Sequence, residues 1–119
     1  MELSITEEKD VACFTVYAKG KIDAATSIEF EKVLMELLDR GGKNIILDLA
    51  DTNYISSAGL RVLLFVIKKL HGSGLFCLCN VGGSVLEVIK MAGFNAFIEI
   101  YDDPLEAKKK IAYGRLQKD

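Results

Sequence analysis

The sequence predicts an α/β fold, a mixed β-sheet of about five strands with helices packed against it. Three observations predict it. Short apolar runs rich in β-branched residues alternate with longer runs whose apolar residues recur at three-and-four spacing. Two strand-like runs open the chain with no helix between them, which calls for an antiparallel hairpin. Short, glycine-marked connections then separate the remaining elements, so the later strands pair mainly in parallel with helices lying across them.

Leu3 to Thr6 and Val11 to Tyr17 are the opening strands, joined by the turn Glu7-Glu8-Lys9-Asp10. Lys19-Gly20-Lys21-Ile22-Asp23 turns the chain into a helix from about Ala24 to Arg40, with Phe30, Val33, Leu34, Leu37 and Leu38 on its buried stripe. Gly41-Gly42 ends it, because glycine accepts the left-handed conformation that follows many helices. The apolar strand Ile45-Ile46-Leu47-Asp48-Leu49 and the polar turn Ala50-Asp51-Thr52-Asn53 lead to a helix starting at about Ser56. Leu60, Leu63, Leu64, Ile67 and Leu70 mark its inner face, with Arg61, Lys68 and Lys69 largely off it. Gly72-Ser73-Gly74 turns into the strand Leu75 to Cys79, and Asn80-Val81-Gly82-Gly83 into a short helix from about Ser84 to Met91. Gly93 closes that helix, Ala96 to Tyr101 forms the last strand, and Asp102-Asp103-Pro104 opens a final helix to about Gln117. Proline and acidic residues suit a first helical turn.

Candidate chemistry concentrates between Asn44 and Lys69, where a strand hands over to a helix at Ser56-Ser57. A helix start gathers free backbone N–H groups and the positive end of the helix dipole, so an anion there is stabilised. With Ser56 as N-cap, its hydroxyl accepts from the N–H of Ala58 or Gly59, and Ser57 keeps an uncommitted hydroxyl at the first helical position. Either serine is a candidate to carry that anion as a phosphate, and small Ala58 and Gly59 give a partner close access. From residue types alone, two capping serines are the commoner explanation. Asp23, by the same standard, is a turn or cap acceptor.

Asp48-Leu49 followed by Ile55-Ser56-Ser57-Ala58-Gly59-Leu60-Arg61-Val62-Leu63-Leu64 resembles the signature of the STAS-domain anti-sigma factor antagonists, whose phosphorylatable serine precedes a small residue and Gly-Leu. Registering on Gly59-Leu60 puts that serine at Ser57. The resemblance extends over nearly the whole chain, including Gly20-Lys21-Ile22-Asp23 before the first helix. One departure is Ser56, where phosphorylated members often carry aspartate. The resemblance implies a single STAS domain over residues 1–119 that acts as a switch: unphosphorylated, it binds an anti-sigma factor and frees the sigma factor. It further implies that the anti-sigma factor is an ATP-dependent serine kinase acting on Ser57, and that a metal-dependent PP2C-type serine phosphatase restores the binding form. Asp23, Ser56, Ser57, Ala58 and Gly59 are the partner-binding residues so implied, with no cofactor and no catalysis by this chain. The alternative is a STAS interaction module in another signalling or transport assembly without a sigma factor.

Composition narrows the rest. The chain of 119 residues is long enough for one core. Half of it is hydrophobic, yet no apolar run approaches the roughly 20 residues of a membrane span, and Met1-Glu2-Leu3-Ser4 is no signal peptide. A soluble, cytoplasmic protein is expected. A net charge of -2 with interspersed signs offers no basic face for nucleic acid, and Lys108-Lys109-Lys110 reads as a solvated helix face. Cys13, Cys77 and Cys79 lie in apolar strands as reduced, mostly buried thiols, without the spacing of a disulfide framework or a metal site.

Rival activities need residues the chain lacks. A serine nucleophile needs a base, and His71, the sole histidine, lies roughly 20 Å along the same helix from Ser57. The G-x-S-x-G elbow is missing, since Ile55 occupies its first glycine position. Gly72-Ser73-Gly74 follows a helix, and Gly82-Gly83 lacks the third glycine and distant acid of a dinucleotide fingerprint. A phospho-aspartate receiver with Asp48 or Asp51 as acceptor needs an acidic pair after its first strand, whereas Asp102-Asp103 comes near the end.

Overall fold

The computed structural model describes residues 3–9 and 13–117, with side chains as far as residue 113. Six strands form one sheet: β1 (Ser4–Lys9), β2 (Phe14–Ile22), β3 (Asn44–Asp48), β4 (Thr52–Ile55), β5 (Leu75–Cys79) and β6 (Glu99–Tyr101). Four α-helices accompany it: α1 (Ser27–Asp39), α2 (Ser57–Leu70), α3 (Gly83–Met91) and α4 (Pro104–Gln117). The strand order is β1-β2-β3-β5-β6, with β4 beside β2. β1 and β2 are antiparallel, and every other pair is parallel. The expected mixed sheet, antiparallel at its start and parallel afterwards, is the one found.

Alternation along the central strands splits their side chains between two helical layers. Ile45, Leu47, Phe76 and Leu78 face α1, α2 and α3, meeting Phe30, Leu34, Leu37, Leu63, Val66, Val85 and Ile89 in the main core. Ile46, Cys77 and Cys79 face the other way, where Ala107 and Ile111 of α4 cover them together with Cys13. Among the described residues no helix is long and apolar enough to cross a membrane.

Several boundaries differ from expectation, and each difference has a packing cause. β1 continues to Lys9 and β2 runs on to Ile22, so the turn expected from Glu7 is strand as far as Lys9, while its Asp10, with Val11, lies outside the described residues. Val16, Ala18, Gly20 and Ile22 are all buried, so the alternation persists through a glycine that looked like a stop. What holds β2 extended there is β4, pairing Gly20 with Thr52 and Ile22 with Ile55. The polar stretch after β3 is thus only a three-residue interruption, 49–51, and the sheet has six strands where about five were expected. Thr52, read as turn, is buried with its hydroxyl donating to the Ala18 carbonyl at 2.7 Å.

Helix α1 begins three residues later than expected, because residues 24–26 form a turn around Asp23. On α2 the buried residues are Gly59, Val62, Leu63, Val66 and Leu70. Leu60, Leu64 and Ile67, expected on the inner face from their three-and-four spacing, are half-buried flanks. The last strand begins at Glu99 and not Ala96, because Phe94–Ala96 close a 3-10 turn after Gly93, whose φ is 80°.

Candidate functional site

The ends of β2 and β4 lie side by side, and both run into helices. The N–H of Ser56 donates to the Ile22 carbonyl at 2.8 Å, tying the start of α2 to the residue before Asp23. That one bond puts both predicted segments at one end of the domain.

Ser56 is the N-cap of α2. Its backbone is extended (φ -92°, ψ 174°), and its hydroxyl accepts from the Gly59 N–H at 3.3 Å while its carbonyl accepts from the Leu60 N–H at 2.9 Å. The cap therefore closes the first turn in the expected way. Ser57 is the first helical residue and exposed, and its hydroxyl has no hydrogen-bond partner among the described residues. Ala58 is half-buried beside it.

Gly59 turns inward. A Cβ there would sit 2.7 Å from Ile22 Cγ2 and 2.8 Å from Ile55 Cγ1. The glycine is required so that the first turn of α2 can settle onto the ends of β2 and β4. Access for a partner, the reason expected for a small residue, does not explain it, because the missing side chain would point into the core.

Asp23 organises the turn before α1. Its Oδ1 accepts from the N–H groups of Ala25 at 3.0 Å and Thr26 at 2.9 Å and from the Thr26 hydroxyl at 3.1 Å. The Thr26 hydroxyl has one proton, which the Lys21 carbonyl at 2.6 Å and Asp23 Oδ1 at the longer 3.1 Å share. The Thr26 N–H, more than any other contact, holds the Asp23 carboxyl below the ordinary aspartate range. The carboxylate stays ionised at neutral pH and half-exposed near the serines.

Asp48 belongs to the same motif but serves another part of the structure. It is buried, with Oδ1 accepting from the Ala50 N–H at 2.9 Å and Oδ2 from the Asn80 side-chain amide at 3.0 Å. Asn80 adopts a left-handed backbone (φ 54°), which asparagine tolerates better than most residues. The pair fastens the end of β3 to the loop after β5.

Two apolar side chains that the sequence left unremarked border the site. Tyr54 of β4 is 48% exposed beside the β2 end, and Ile28 in the first turn of α1 is 72% exposed. Ile28 falls off the stripe of Phe30, Leu34 and Leu37, which is the signal that could have found it. Tyr54 was hidden because the first half of its strand, Thr52 and Asn53, reads as turn and leaves no alternation to place it on an exposed face.

The thiols have no reactive geometry. Cys13, Cys77 and Cys79 are buried and form no disulfide with one another, and burial pushes the Cys77 thiol up to about 12. Burial, aided by the Asp48 carboxylate, raises Cys79 as well. Among the described residues no cluster of His, Cys, Asp and Glu could hold a metal ion. His71 caps the far end of α2 from Ser57.

Comparison with known proteins gives one consistent family. Residues 3–107 match the STAS domain. Over 93 residues the chain is 34% identical to the candidate anti-sigma factor antagonist BtrV of Bordetella bronchiseptica, covering 77% of this chain and 80% of that protein. It superposes with a TM-score of 0.87 on the crystal structure of an anti-sigma factor antagonist from Mycobacterium paratuberculosis, at 19% identity, covering 93% of this chain and 95% of that one. It also shares its fold with the Bacillus cell fate determinant SpoIIAA in its phosphorylated form, with a TM-score of 0.71, 15% identity, and coverage of 91% and 99%.

Proposed function

The chain belongs to the STAS domain family, and on that premise we propose that it is an anti-sigma factor antagonist that binds its partner when Ser57 is unphosphorylated and releases it when Ser57 is phosphorylated. The partner in this reading is an anti-sigma factor with ATP-dependent serine kinase activity, and a PP2C-type phosphatase reverses the modification. This chain is ligand and substrate and catalyses nothing. Asp23, Ser56, Ser57 and Ala58 form the docking surface, and Gly59 supports it from beneath.

The observation that carries the reading is the division of labour between the two serines. Ser56 is committed to capping, while Ser57 is exposed with a free hydroxyl at the positive end of a helix. A phosphate adds about -1.5 to -2 charges, and free N–H groups at a helix start stabilise it by roughly 0.3 to 2 kcal/mol, so the isolated domain tolerates it. The complex does not. A partner closing over Ser57 strips water from an unpaired dianion at a cost of several kcal/mol, and each 1.4 kcal/mol weakens binding about tenfold.

Affinity purification with the unmodified chain and with Ser57→Ala recovers an anti-sigma kinase, and phosphopeptide mapping after incubation with it and ATP finds the label on Ser57. Ser57→Asp binds it at least tenfold more weakly than Ser57→Ala. Label at Ser56 alone, or equal binding by the two Ser57 variants, overturns the switch.

A further inference from the structure

If Ser57 is the modified residue, the phosphate needs more than a helix start to hold it, and α2 carries the candidate. Arg61 stands four residues beyond Ser57 on the same helix, and both are exposed. Residues four apart have Cβ atoms about 5–6 Å from one another. A helical side chain leans toward the N-terminus, over the turn before its own Cα. The guanidinium of Arg61 therefore sweeps the surface around Ser57.

Nothing else in the helix competes for it. The sequence of α2, SAGLRVLLFVIKKL, contains no acidic residue, and Arg61 makes no ion pair or hydrogen bond among the described residues. Charged groups on the segments that meet the start of α2 include Lys21 at the end of β2, Asp23 with Oδ1 held by residues 25 and 26, Glu29 in the first turn of α1, and Asp51 before β4. A cation without an anion lies one turn from the hydroxyl that would become one.

We propose that Arg61 is the internal partner of phosphorylated Ser57, its planar guanidinium donating to the phosphate oxygens while the first-turn N–H groups of α2 hold the other side. Arginine suits this role because its forked donors match a phosphate bidentately. The pair closes within one helical turn, so the modified state is held by α2 itself without moving the sheet. In the unmodified chain Arg61 stays free at the docking surface, and phosphorylation both adds a dianion there and occupies that arginine.

The test places phosphoserine at position 57 of the full chain by translational incorporation, so no kinase is needed, in the otherwise native sequence, in Arg61→Gln and in Lys68→Gln. Phosphorus NMR titrations then read the second ionisation of the phosphate. With Arg61 present it falls about half a unit lower than in Arg61→Gln, because the guanidinium favours the dianion. Lys68→Gln, which removes a charge from the far end of the helix, leaves it within about 0.1 unit of the native value. The phosphate-induced rise in melting temperature is correspondingly smaller in Arg61→Gln. Equal phosphate ionisation in the native and Arg61→Gln proteins, both folded by circular dichroism, overturns the pairing, as does an equal shift in Lys68→Gln. Since the phosphoserine is installed directly, either result is separate from a failure of Ser57 as a kinase substrate, which the phosphopeptide map reads.

Discussion

At the scale of single residues, the site end is held by small features with measurable costs. Replacing Gly59 by alanine sets two effects against each other. Alanine is the better helix former by about 0.8–1.0 kcal/mol, while a Cβ at 2.7 Å from Ile22 and 2.8 Å from Ile55 forces a repacking worth about 1–3 kcal/mol. The clash is the larger effect, so Gly59→Ala lowers stability in urea titrations, and a gain would show that the inward packing is misread. Asp23 gives a pH signature. Its folded ionisation lies below the ordinary 3.8, so its contribution is present above that value and is lost as pH falls through the depressed one. The stability difference between native protein and Asp23→Ala should therefore shrink on acidification below about pH 4, and a constant difference down to pH 2 would remove the carboxylate from the account. Asn80→Gly preserves the left-handed backbone but deletes the amide that satisfies buried Asp48, which costs about 1–3 kcal/mol. Denaturant melts within error of the native protein would show that another donor replaces it.

At the scale of elements, α2 is a pedestal whose inner face carries smaller residues than its pattern promised. Truncating fully buried Leu63 to alanine costs about 2–5 kcal/mol, whereas Leu64→Ala on the half-exposed flank costs less. Equal losses in urea would return the inner face to Leu64. Strand β5 places Cys77 and Cys79 under α4, with thiols raised by burial. In the native protein they react with a thiol reagent at pH 8 only as fast as the domain unfolds, and in urea at once. Rapid labelling of both without denaturant would mean that α4 does not seal that face.

At the scale of the molecule, the site depends on one sheet end, where β2 and β4 deliver Asp23 and Ser56-Ser57 to the same surface. A modification there strains nothing in the core, since Ser57 is exposed and its hydroxyl has no partner to lose. In amide NMR spectra of the chain with phosphoserine at 57, the shifts should be confined to about residues 20–28 and 52–62, the segments joined at Ile22 and Ser56. Changes spread through β5, β6 and α4 would replace local electrostatics with a rearranged fold.

Local patterning was enough for the order of the elements other than β4, the mainly parallel second half of the sheet and the exact span of β5, and it marked Ser56 as a candidate cap that would leave the Ser57 hydroxyl uncommitted. Each depends on residues within a turn or a strand of one another, where periodicity and capping chemistry act. The extension of β2 through Gly20, the strand character of Thr52–Ile55, and the inward turn of Gly59 were settled only by the tertiary structure. Half of a polar run read as a turn, Thr52 and Asn53, becomes strand with Tyr54 and Ile55 because β2 supplies the pairing from more than thirty residues away, and a glycine becomes obligatory because Ile22 and Ile55 arrive beneath it. Local propensity carries no record of such neighbours.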